Sequence, residues 1–135
     1  MGQTGLAAPG RAGAAAPGRP GDLTDRQLMV RVTSPLARCA GGGAEADEWF
    51  PVATRWTQAR AEAARALALC EKCPVRADCL ELSLRQWSAV GRYGVWGGLL
   101  EAERAAIRKQ WLGGVSVTRL LDARQQDRAP YDTPP

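Results

Sequence analysis

Four cysteines, Cys39, Cys70, Cys73 and Cys79, are the residues of this 135-residue chain whose type and spacing can do chemistry. They follow the pattern C-x30-C-x2-C-x5-C, with three within ten residues and the first in a glycine-rich loop, Cys39-Ala40-Gly41-Gly42-Gly43. Thiolates are soft ligands that select zinc, Cu(I) and iron-sulfur clusters, so four of them without histidine suit either an all-thiolate zinc site or one cubane cluster. Four-cysteine zinc modules usually present two close C-x2-C pairs, whereas here Cys39 stands alone and Cys79 falls inside an expected helix. Spacing leaves both metals open. A C-x-x-C pair can also exchange disulfides, so Cys70 and Cys73 offer a thiol-disulfide oxidoreductase as an enzymatic alternative. No βαβ pattern surrounds them. The chain has no histidine, which removes Cys-His nucleophiles and imidazole acid-base chemistry.

These cysteines must be positioned by helices. From Thr57 to Cys70 the sequence TQARAEAARALALC is rich in helix formers, with Thr57 the expected N-cap and Ala59, Ala63, Ala66, Leu67 and Cys70 on one face. Pro74 breaks that helix and opens another over 75–87, apolar on two sides and so expected at the centre of the domain. Gly91, Gly94, Gly97 and Gly98 punctuate a turn region, after which LLEAERAAIRKQW resumes helical spacing until Gly113 and Gly114. No segment alternates with period two. The fold class expected is all-α, a small helical bundle.

Residues 1–33 begin with a stretch made almost wholly of Gly, Ala and Pro and are expected to form a disordered tail. Residues 34–112 form the domain, and residues 113–135 a flexible, mildly basic tail. The formal net charge is +4, with the excess carried by the two ends. Pro9, Arg11, Pro17 and Arg19 interrupt any secretory signal, and no run is long and apolar enough for a membrane helix. A cytoplasmic location is expected, where thiols stay reduced and read as metal ligands. A core of this size gains little net stability and benefits from a metal staple. Lys72 and Arg76 are placed to offset thiolate charge.

The aromatic-Pro element Trp49-Phe50-Pro51, then CEKCPVRADCL at 70–80, then GVWGG at 94–98, in this order, resemble the WhiB-like family of actinobacterial transcriptional regulators. The resemblance spans residues 34–112. It implies one [4Fe-4S] cluster per monomer, held by Cys39, Cys70, Cys73 and Cys79 and responsive to oxygen or nitric oxide, in a regulator that is not an enzyme. It also implies a partner, the C-terminal domain of the principal sigma factor of RNA polymerase, met by Trp49, Phe50, Pro51, Trp96, Gly97 and Gly98. Many members end in a dense basic motif, whereas this tail spreads its charge over Arg104, Arg108, Lys109, Arg119, Arg124 and Arg128. Those residues are the expected contacts to promoter DNA, giving salt-sensitive binding that is weak without the partner.

Overall fold

The computed structural model describes residues 19–132, with side chains described through residue 126. Seven helices follow one another: α1 (Asp25–Val32), α2 (Ala46–Trp49), α3 (Trp56–Glu62), α4 (Ala64–Glu71), α5 (Arg76–Arg85), α6 (Glu101–Leu112) and α7 (Val117–Asp132). Among the described residues there is no strand, only an isolated antiparallel bridge between Trp96 and Leu99. The expected all-α class is what the chain adopts.

The α1 helix corrects the expectation of a disordered tail over residues 1–33, of which residues 1–18 lie outside the described set. Thr24 accepts from the Gln27 amide at 3.1 Å while the Gln27 side chain accepts from the Thr24 amide at 2.8 Å, a reciprocal cap that starts the helix. Leu28 is fully buried. The α1 helix packs along α5, where Arg31 Nε donates to Asp78 Oδ2 at 2.6 Å. From the other end of α5, Arg85 donates to the carbonyls of Pro20, Gly21 and Leu23 and to Asp25. This segment is therefore fastened to the domain by both an apolar anchor and charged ties.

The helix expected over 57–70 is divided into α3 and α4 at Ala63, and its N-cap is Arg55 rather than Thr57. Its inner face is as the periodicity predicts, with Ala59, Ala63, Ala66 and Leu67 buried. The helix expected over 75–87 is α5, shortened to Arg76–Arg85 because Pro74 stays in the preceding turn, and followed by a π-turn over Trp87–Gly91. It holds the central place: Asp78, Leu80, Glu81, Leu82, Ser83 and Leu84 are all buried.

One core cluster joins Leu80, Leu84, Leu99, Ile107, Val117 and Leu120. The first part of the C-terminal segment departs from the expected flexible tail, because Val117 and Leu120 present one helical face to α5 and α6. A second cluster joins Ala59, Ala63, Leu67, Val95 and Leu100. No described helix is long and apolar enough to cross a membrane.

Candidate metal centre

The four cysteines come from four separate places in the fold. Cys39 lies in a short 3-10 turn, Arg38–Gly41, and Cys70 in the last turn of α4. Cys73 sits in the turn joining α4 to α5, where its amide donates to the Cys70 carbonyl at 3.1 Å and its carbonyl accepts from Arg76 N at 3.1 Å. Cys79 falls in the first turn of α5. All four are free thiols and line one cavity of about 290 Å³, whose wall also holds Trp49, Val75, Val95, Arg76 and Gly97. Among the described residues, no three Cys, Asp or Glu side chains converge closely enough to hold a single metal ion.

Burial governs the acidity of the deeper pair. Desolvation pushes the Cys79 thiol up to about 12, the neighbouring Cys70 adding to the rise and the Gly97 amide opposing it. Cys70 is pushed up to about 11 by burial, against a hydrogen bond from the Gly98 amide and the nearby charge of Arg76. The Arg38 amide donates to Cys73 Sγ at 3.4 Å. Without a cation nearby, burial favours the protonated form of Cys70 and Cys79. A positively charged metal core that takes all four as thiolates relieves both the desolvation and the mutual repulsion, and the donor set fits such a group.

The turn that ends in Gly98 is built against this cavity. The Val95 amide donates to the Trp49 carbonyl at 2.8 Å, tying the turn to the end of α2. Trp96 and Leu99 exchange backbone hydrogen bonds of 3.2 and 3.0 Å, which closes the turn. Between them Gly97 has φ +60° and Gly98 φ +77°, the left-handed region that glycine enters without penalty. Their amides act on the sulfurs of Cys79 and Cys70, opposing the rise that burial causes. A Cβ on Gly97 would lie 2.9 Å from the Leu80 Cβ and 3.1 Å from the Arg76 carbonyl. The turn therefore touches the cysteines through its backbone, and no larger residue leaves room for that approach.

The residues expected at a partner surface divide in two. Phe50 is 59% exposed, with its ring over Gly94, while Trp49, Pro51 and Trp96 are half-buried. The indole N–H of Trp96 donates to the Tyr93 carbonyl at 2.8 Å. Gly97 and Gly98 are buried, so they shape such a surface from within rather than form it.

The residues expected to meet DNA do not form one face. Arg104 is fully buried, donating to the carbonyls of Leu99 at 2.6 Å and Gly91 at 3.0 Å, with its guanidinium 5.9 Å from the centre of the Trp87 ring. Burial lowers it to about 10. It is an internal strut and is withdrawn from the set of DNA contacts. Arg108 lies half-buried over the other contact to Trp87, and Arg124 pairs with the buried Glu103, which also accepts from Arg60. Lys109 and Arg119 are exposed, and the Arg128 side chain lies outside the described ones. Of the two cations expected beside the thiolates, Arg76 lines the cavity and Lys72 is exposed. The spacing did not reveal the Arg38 and glycine amides directed at sulfur, because backbone donors carry no side-chain signature.

Fold and site define a small helical domain closed around a four-cysteine cavity. The family model for the transcription factor WhiB matches residues 35–107, and the chain belongs to that family. It is 47% identical over 47 residues to the redox-responsive transcriptional regulator WhiB3 of Mycolicibacterium smegmatis, covering 34% of this chain and 45% of that one. It is 44% identical over 41 residues to the transcriptional regulator WhiB of Streptomyces coelicolor, covering 30% and 44%. Against the transcriptional regulator WhiB1 of Mycobacterium tuberculosis it is 37% identical over 62 residues, covering 46% and 69%. The chain thus spans less than half the length of the first two of these relatives. No solved structure matches it.

Proposed function

We propose that this protein is a redox- or nitric-oxide-responsive transcriptional regulator whose Cys39, Cys70, Cys73 and Cys79 hold one [4Fe-4S] cluster, and which acts with the C-terminal domain of the principal sigma factor at promoter DNA. The observation that carries this reading is the convergence of all four cysteines on one cavity of about 290 Å³ in a chain of the WhiB family. Bound there, such a cluster supplies iron and sulfide that react with oxygen or nitric oxide.

The chain's own residues turn that reactivity into a signal. Cys70, Cys73 and Cys79 join α4 to the start of α5, and the turn bearing Trp96 borders the same cavity through Gly97. Loss of the metal unpins these elements together, and a partner reading Phe50 and Trp96 meets an altered surface. Exposed Lys109 and Arg119 can meet phosphates but offer little base discrimination, so promoter choice falls to the sigma partner.

Anaerobic purification followed by iron, acid-labile sulfide and zinc analysis tests the cofactor. About four iron and four sulfide per chain are expected for one cubane cluster; stoichiometric zinc overturns the reading. The same preparation, mixed with the sigma C-terminal domain on a size-exclusion column, should co-elute, and a Cys73→Ala variant should not. Unchanged sigma binding by that variant would remove the switch.

A further inference from the structure

We propose that Arg76 is a positioning residue that couples the metal centre to the Trp96 turn, its charge facing the thiolates while its Nε holds the Gly97 carbonyl. The inference rests on the cluster proposed above. Arg76 stands three residues from Cys73 and three from Cys79, at the start of α5, and its side chain forms part of the cavity wall. Its Nε donates to the Gly97 carbonyl at 2.9 Å. Its guanidinium lies so close against Gly98 that a Cβ there would fall 2.9 Å from Nη2 and 3.0 Å from Nε.

The two peptides it touches are those whose amides oppose the burial-driven rise of the Cys79 and Cys70 thiols. One guanidinium therefore holds the turn that acts on two of the sulfurs, and it lines the same cavity as they do. The far end of the turn is held separately, by Arg104 on the Leu99 carbonyl at 2.6 Å.

On the same wall Arg38 directs its Nε to the Lys72 carbonyl at 3.3 Å and its amide to Cys73 Sγ, and Asp78 is paired with Arg31. Four thiolates around a cubane core of about +2 leave about two net negative charges, and a partly buried cation beside them favours the addition of one electron. Lysine can replace that charge but not the directed bond from a planar fork. The two roles are therefore separable by substitution.

The test compares wild type, Arg76→Lys and Arg76→Gln as full-length proteins loaded anaerobically, with helicity checked by circular dichroism. Two quantities are read. One is the midpoint potential, from a titration in which dithionite supplies one electron per cluster. The other is amide hydrogen exchange of the peptide covering residues 94–100. Arg76→Gln should have a more negative potential than wild type, whereas Arg76→Lys should keep it. In both, exchange in the turn should quicken by on the order of fivefold, the effect of losing one partly buried hydrogen bond. A cluster retained by Arg76→Lys and lost from Arg76→Gln also supports the charge role. Loss from both, or a potential and exchange rate in Arg76→Gln equal to wild type, overturns the inference. A wild-type protein that carries zinc or no metal refutes the cluster reading instead, and iron analysis identifies that outcome before any variant is compared.

Discussion

Replacing Gly97 by alanine tests whether the approach of the turn to α5 is as close as the structure shows. At φ +60° an alanine is in the left-handed region, which costs roughly 1–2 kcal/mol. The new methyl would also meet the Leu80 Cβ at 2.9 Å, the Arg76 carbonyl at 3.1 Å and the Leu80 amide nitrogen at 3.2 Å. Two of these atoms belong to the backbone of α5 or its first residue and the third is a Cβ, so none can swing away as a long side chain would. Overpacking of that kind adds about 1–3 kcal/mol. The sum, roughly 2–5 kcal/mol, is a large part of the stability of about 5–15 kcal/mol that a domain commonly has. Gly114→Ala is the control: its φ is +106° in the turn that follows α6, yet nothing lies within 4 Å of the added carbon, so only the conformational term of roughly 1–2 kcal/mol applies. Urea unfolding of the anaerobically purified proteins is the assay. With a slope of about 2 kcal/mol per molar urea, Gly97→Ala should unfold about 1–2.5 M earlier than wild type, and Gly114→Ala about 0.5–1 M earlier. Gly97→Ala should also retain less iron, since moving the turn withdraws an amide from Cys79. Equal midpoints for the two variants would refute the packing argument.

Two further outcomes follow from the same contacts. Burial raises Cys70 to about 11 and Cys79 to about 12, above an ordinary thiol near 9, so the folded metal-free protein prefers these groups protonated. That contribution is fully present below about pH 9 and is lost as pH rises through 11 and 12. Thermal melting of the reduced, metal-free protein should show a fall in midpoint between pH 8 and pH 11 that a Cys70→Ser, Cys79→Ser double variant reduces. Arg85→Ala should release residues 20–25 from α5 and lower stability by about 1–3 kcal/mol, since the guanidinium holds three carbonyls and two carboxylates. Faster proteolysis N-terminal to Leu28 should accompany the loss, and an unchanged cleavage rate would show that the ties are not what holds the segment.

The helical class and the four cysteines that the fold brings to one cavity were legible because each rests on local signals: cysteine spacing, alanine-rich periodicity and a proline break. The α1 helix was missed although its cap, Thr24 to Gln27, stands in the sequence, because the composition of the preceding residues was extended too far along the chain. In α7 the apolar residues Val117 and Leu120 were visible, but only the surface of α5 and α6 gives them something to pack against. Arg104 shows the limit of local reading most plainly. Among the neighbours Glu103 and Arg108 it looks like one more charge on a solvated helix, and its burial depends on carbonyls at Gly91 and Leu99 that the fold brings to it. The division of α3 from α4 at Ala63 has no counterpart in the pattern, which is uniformly favourable to helix from Thr57 to Cys70.

The position of Cys79 explains why elements on both sides of the ligand-bearing segment are needed. Its neighbour Asp78 is held by Arg31 of α1 and the following Leu80 is buried against Leu99 and Ile107, so the residue is fixed from both flanks before any metal is considered. Cys70, at the end of α4, is fixed by the second core through Leu67 and Val95. Cys39 is exposed in a short turn beside glycines, and that turn is held to the end of α4 through Arg38, which donates to Cys73 Sγ at 3.4 Å and to the Lys72 carbonyl at 3.3 Å. A metal bound by all four would join this turn to the frame that the other three share, so loading it would also order the loop after Cys39.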